Sequence, residues 1–150
     1  MTLEALLAYA HILAILTMVV CLASEAALCR SEWLNAAVVE RLGKIDLIYA
    51  VAAGAVLLTG LLRVFLGAKG AGWYGTNPLL YVKLALFVII ALLSIQPTRL
   101  FARWRRELRA TGRLPEARQV TKARKRVMVQ AHLLPLIPLA AVFLARGYGK

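Results

Sequence analysis

The chain has 150 residues, 61% of them hydrophobic, and a formal net charge of +12. A soluble globular domain is about 45–50% apolar, so this composition excludes a water-soluble enzyme, a disordered basic tail and a disulfide-rich secreted module. The excess apolar content and the excess base must be segregated along the chain, as in an integral membrane protein with its positive charge in loops.

Crossing the hydrocarbon core takes about 20 mostly apolar residues. Four stretches qualify: residues 3–28, 45–66, 79–98 and 127–145. They predict an all-α, integral membrane four-helix bundle in a single transmembrane domain over residues 1–150. The first stretch lacks Lys, Arg and a compact small-residue cleavage site, so it is expected to stay as a span and not act as a cleavable signal peptide. Its two cysteines, Cys21 and Cys29, are expected to be packing residues.

The loop between spans two and three carries Gly67, Gly70, Gly72 and Gly75. It is expected to be a flexible link, with a lid over an outer cavity as the alternative. The loop between spans three and four, residues 99–126, is strongly basic. Phe101, Trp104 and Leu108 recur there at helical spacing between arginines, which predicts an amphipathic cytoplasmic helix lying on the inner leaflet. Thr111 and Gly112 end it, and Pro115 is placed to start a second helix that runs into span four. The base from Arg99 to Arg126 is expected to hold anionic inner-leaflet lipids and not nucleic acid.

Orientation follows from counting Lys and Arg by loop. With the amino terminus outside, fourteen lie on the inner side: Arg30, Arg41, Lys44 and eleven from Arg99 to Arg126. The outer side then holds four, Arg63, Lys69, Arg146 and Lys150, while Lys83 lies within a span. The positive-inside rule therefore predicts both termini on the outer side, which at a bacterial inner membrane is the periplasm. Trp73, Tyr74, Tyr81 and Tyr148 then fall at the outer interface, and Trp33 and Trp104 at the inner one.

Ionisable side chains inside spans tend to face the bundle interior and to mark function. Glu4, His11, Met18 and Glu25 follow one another at intervals of seven, so they share one face of span one. At 1.5 Å per residue, His11 lies roughly 13 Å below the outer end of its span and Lys83 roughly 7 Å below the end of its own. Arg63 lies near the outer end of span two. An outer, cationic half-cavity is expected, with His11 at its floor and Glu4 at its rim. An amphipathic, anionic ligand suits it. Haem suits it through iron on His11 and propionates on Lys83 and Arg63. Met18 or His132 is the candidate second ligand, although His132 is expected roughly 8 Å deeper than His11. At the inner ends, Glu25, Asp46, Arg30, Lys44 and Arg99 are expected to form structural ion pairs tying three spans together. Ala50 with Gly54, and Ala53 with Gly60, mark a small-residue face of span two expected to approach span one.

Several local patterns are shared with a known group. They are Tyr9-Ala10-His11, Tyr81-Val82-Lys83-Leu84, Leu93-Ser94-Ile95-Gln96-Pro97-Thr98 and Ala145-Arg146-Gly147-Tyr148-Gly149. With these the chain resembles an uncharacterised bacterial family of four-helix predicted membrane proteins. That family is distantly similar to the HemJ-type membrane protoporphyrinogen oxidases and to the membrane domain of CopD-type copper-resistance proteins. The resemblance implies haem b ligated at His11, with Lys83 at the opening of span three, and quinone-coupled oxidation. Span four departs from the HemJ type: it reads Ala131-His132-Leu133-Leu134-Pro135, without the acid. The leading expectation is a haem-b-binding redox protein of the inner membrane, homo-oligomeric, with quinone as partner. Two alternatives stay open: a copper-handling or small-molecule transport protein, and a non-catalytic membrane assembly partner.

Overall fold

The computed structural model describes residues 1–149; the expectations that touch Lys150 lie outside them. The chain forms α1 (Thr2–Leu28), α2 (Ala36–Leu66), the short α3 (Gly70–Gly75), α4 (Pro78–Thr111), α5 (Ala117–Leu133) and α6 (Leu136–Ala145). Among the described residues four units are long and apolar enough to cross a membrane: α1, α2, α4 and the α5–α6 pair. There is no strand among the described residues.

Local chemistry sets the boundaries. Asn35 caps α2 by accepting from the Val38 amide at 3.0 Å. Asn77 caps α4, accepting from the Leu79 amide at 3.0 Å, with Pro78 in the first turn. Gly112 ends α4 in the left-handed conformation, φ 70°. Pro135 interrupts the fourth unit, so α5 and α6 meet at a break where a single helix was expected.

The helices overrun the predicted spans at the basic end. α2 starts at Ala36 and not at 45, and α4 has 34 residues. A helix of that length is about 51 Å long, against about 30 Å of hydrocarbon. The stretch expected to lie as a separate helix on the leaflet is the last third of α4, continuous through the buried Pro97. Its apolar face is covered by the chain itself. Phe101 and Trp104 are 1% and 0% exposed and belong to one core with Val39, Leu42, Val120, Ala123 and Val127. The Trp104 indole N–H donates to Gln119 Oε1 at 3.1 Å. On the outside of this extension, Glu40 accepts from Arg105 Nε at 2.8 Å and from Arg109 Nε at 2.8 Å. Phe101 and Trp104, expected to face the leaflet, pack against α2 and α5 instead.

At the opposite end, the glycine-rich link folds into α3 and is not a bare flexible loop. Lys69 ties it down, lying 4.1 Å over the Trp73 ring and donating to the Ala145 carbonyl at 3.2 Å. Both cysteines are free and buried. The Cys29 thiol donates to the Val120 carbonyl at 3.6 Å, joining the end of α1 to α5. Burial, and after it the nearby Glu25 carboxyl, pushes this thiol up to about 12. Thiolate is the reactive form, so Cys29 in a Cys21→Ala background should resist maleimide at neutral pH. It should react once the protein is unfolded in detergent, as mass spectrometry would report.

The heptad face of α1 is its buried face: His11, Met18 and Glu25 are all buried, and Glu4 is exposed at the end. α2 runs antiparallel beside it and presents Asp46, Ala53 and Gly60. Gly60 matters most, because a Cβ at that position would stand 3.3 Å from His11 Cε1. The Ala50–Gly54 pair does not belong to this face. Both residues are exposed, and a Cβ on Gly54 would meet nothing within 4 Å.

Candidate functional site

A cavity of about 310 Å³ opens between α1, α2, α4 and α6 at the end carrying the termini. Its walls are mainly apolar, with Ile15, Val56, Leu84 and Ile137 among them. Three nitrogen-bearing side chains line it: His11, Arg63 and Lys83. The arrangement expected from helix depth is therefore assembled in one space. Both cations are close enough for their charges to be felt at the imidazole. Glu4, exposed near the start of α1, does not line the cavity; its carboxylate accepts from the Ala68 amide at 3.5 Å.

The tautomer of His11 follows from its neighbour. His11 Nδ1 lies 2.8 Å from Thr59 Oγ1. The same hydroxyl lies 2.6 Å from the Ala55 carbonyl. Two oxygens that close hold a hydrogen between them, and a carbonyl can only accept. Thr59 thus spends its one proton on Ala55, and its oxygen accepts from His11 Nδ1–H. The second ring nitrogen, Nε2, then carries the lone pair. An imidazole fixed through one N–H, with the other nitrogen free to donate electrons, is how metal-ligating histidines are held. Thr59 was not singled out from the sequence.

The two candidate second ligands are not brought to His11. Met18 is buried but lines a separate cavity of about 200 Å³, nearer the basic end, with Tyr49, Ala53 and Thr98. Phe87 lines both cavities and forms a wall common to them. His132 is exposed on α5, and its Nδ1 lies 2.6 Å from the Met128 carbonyl. The helical rotation at the end of α5 turns it away from the bundle. No group of three or more His, Cys, Asp or Glu residues able to hold a metal ion exists among the described residues.

The expected ion pairs of the buried carboxylates are also replaced. Among the described residues no ion pair joins Glu25 or Asp46 to Arg30, Lys44 or Arg99; the pairs present are Glu40 with Arg105 and Arg109, and Arg103 with Glu107. Glu25 and Asp46 lie close enough for their carboxyl groups to interact. Asp46 also accepts from Thr98 Oγ1 at 3.0 Å. Arg99 is exposed, and Arg30 lies beyond the end of α1 with its guanidinium 4.8 Å over the Trp33 ring. Equal depth had suggested pairing, but Arg99 points out of the bundle and Arg30 is engaged with Trp33, while both acids are buried in the bundle.

A family model described as "Predicted membrane protein (DUF2214)" matches residues 3–149, so the chain belongs to that family. No characterised protein and no solved structure matches it.

Proposed function

We propose that this DUF2214 membrane protein binds an amphipathic, acidic small molecule in the cavity at its terminal end, and that the occupant is haem b. One observation carries the reading: the apolar cavity gathers a histidine with a free Nε2 lone pair and two cations, Arg63 and Lys83. Membrane-buried ionisable groups are costly and are kept where a ligand uses them. The residues fit the group in three respects: a nitrogen donor for iron, two cations for propionates, and apolar walls for the macrocycle. They supply one axial ligand only, since Met18 and His132 lie elsewhere. Haem held there would supply one-electron exchange. The chain's own part is to orient His11 through Thr59, to neutralise the acidic edge, and to exclude water with Ile15, Val56 and Phe87.

The same reading includes quinone as electron partner, which rests on the HemJ resemblance and not on the cavity. It also sets the basic end at the cytoplasmic face of a bacterial inner membrane, with the termini periplasmic and the exposed arginines of residues 99–126 on anionic lipid; the asymmetry of Lys and Arg supports this. The exposed Ala50 and Gly54 are the kind of small residues that let helices approach closely, and they support a homo-oligomer.

An optical spectrum tests the proposal. Protein expressed with ample haem and purified in detergent should show a Soret band, and Lys83→Gln should weaken haem retention by about tenfold, the worth of one charge-assisted contact. A wild-type preparation without a Soret band would sink the haem reading.

A further inference from the structure

At the basic end, away from the cavity just described, a second recess of about 290 Å³ lies where α1 stops and α5 passes it. Cys29, Arg30, Ser31, Glu32, Thr121 and Arg124 line it. Two guanidiniums, two hydroxyl side chains and one carboxylate thus meet at a single opening.

Both arginines are held in place before any ligand arrives. Arg30 lies over the Trp33 ring at 4.8 Å. Arg124 donates through Nη1 to the Ala26 carbonyl at 3.2 Å, near the end of α1. That bond uses one of the five N–H donors of a guanidinium. The Nε of Arg30 is buried and has no hydrogen-bond partner. A buried donor left unpaired is uncommon and calls for an acceptor. The Cys29 thiol is engaged with Val120, and its raised pKa keeps it neutral, so the floor of the recess does not repel an anion.

The position narrows the ligand. α1 is apolar up to Leu28 and the chain turns immediately after it. Trp33, 56% exposed, stands beside the recess, as aromatic rings do at headgroup level. A guanidinium pair is suited to bidentate phosphate recognition. Glu32, exposed at the same opening, adds an acceptor.

We infer that the recess formed by Arg30, Arg124, Ser31 and Thr121 is a phosphate-binding site at the membrane surface. It holds the phosphate by the two arginines and offers Glu32 to any cationic or hydroxylated group attached to it. The phosphate of a lipid headgroup and inorganic phosphate share this chemistry.

Binding to the purified full-length protein separates the sources. The probes are nanodiscs of phosphatidylglycerol, nanodiscs of phosphatidylethanolamine, and inorganic phosphate in detergent, with bound lipid read by native mass spectrometry and phosphate by calorimetry. Lipid retention is expected in at least one nanodisc arm, with Arg30→Gln losing about tenfold in affinity and Arg30→Lys retaining part of it. Retention of phosphatidylethanolamine that Glu32→Gln weakens would assign the acceptor role to Glu32. Binding of inorganic phosphate alone, lost in Arg30→Gln, would support the site with a soluble ligand. Arg146→Gln, exposed at the opposite end of the bundle, should leave all arms unchanged. Wild-type protein that retains neither lipid nor phosphate, or an Arg30→Gln protein with wild-type spectral and melting behaviour and unchanged binding, would overturn the inference.

Discussion

Trp104→Ala should destabilise the bundle by about 3–5 kcal/mol, the usual cost of emptying a fully buried aromatic site. Trp104 has no exposed surface, and it packs against Phe101 with ring centroids 5.5 Å apart. Its indole N–H also satisfies Gln119. Removing the ring leaves a hole in the core that α2, α4 and α5 build at the basic end. Unfolding in a denaturing detergent series should show the loss directly. Trp33→Ala is the control. That ring is 56% exposed and meets mainly Arg30, so less than about 1 kcal/mol is expected. If Trp104 rested on the leaflet as a surface helix, the protein's own fold would hardly respond to its loss.

Gly60→Leu should bring haem retention down to background while the helices stay formed. The glycine leaves room for the His11 ring, and even a Cβ there would stand 3.3 Å from His11 Cε1. A branched side chain has to push the imidazole off Thr59, and no second ligand stands ready to replace it. Overpacking of this kind costs about 1–3 kcal/mol, part of which is returned because leucine favours a helix over glycine by up to about 1 kcal/mol. Gly54→Leu changes the same helix by the same chemistry on the outer surface, where a Cβ meets nothing. It should keep wild-type haem content and match or exceed wild-type stability. Equal Soret intensity in the two variants would remove His11 from the site.

The parts of this architecture legible in the sequence are those that depend on period and depth. Intervals of seven identified the inward face of α1, because an inward stripe must recur about every two turns. Depth from the ends placed His11, Arg63 and Lys83 in the same outer half of the bundle. A further regularity was present in the numbering: Glu25 with Asp46, Met18 with Ala53 and His11 with Gly60 have a constant sum, as antiparallel neighbours do. It would have pointed to Gly60 as the residue opposite His11, with Thr59 next to it in the chain. Rotation about the helix axis was less legible. Ala50 and Gly54 share a spacing with many packed faces yet are exposed, and His132 sits in an apolar stretch yet faces outward. Hydrophobicity cannot tell lipid-facing from bundle-facing positions in a span, since both are apolar. The same ambiguity hid the partner of the Phe101–Trp104 face, which a leaflet or two helices would cover equally well.

The central claim is that His11 presents Nε2 to the cavity and takes haem iron there as its one histidine ligand. Haemin titration of the purified, haem-free protein, followed at the Soret maximum, tests it most directly. The wild type should saturate at one haem per chain, His132→Ala should titrate identically, and His11→Ala should show only unsaturable partitioning into the detergent. Saturation of His11→Ala with wild-type affinity, or the absence of a saturable band in the wild type, would contradict it.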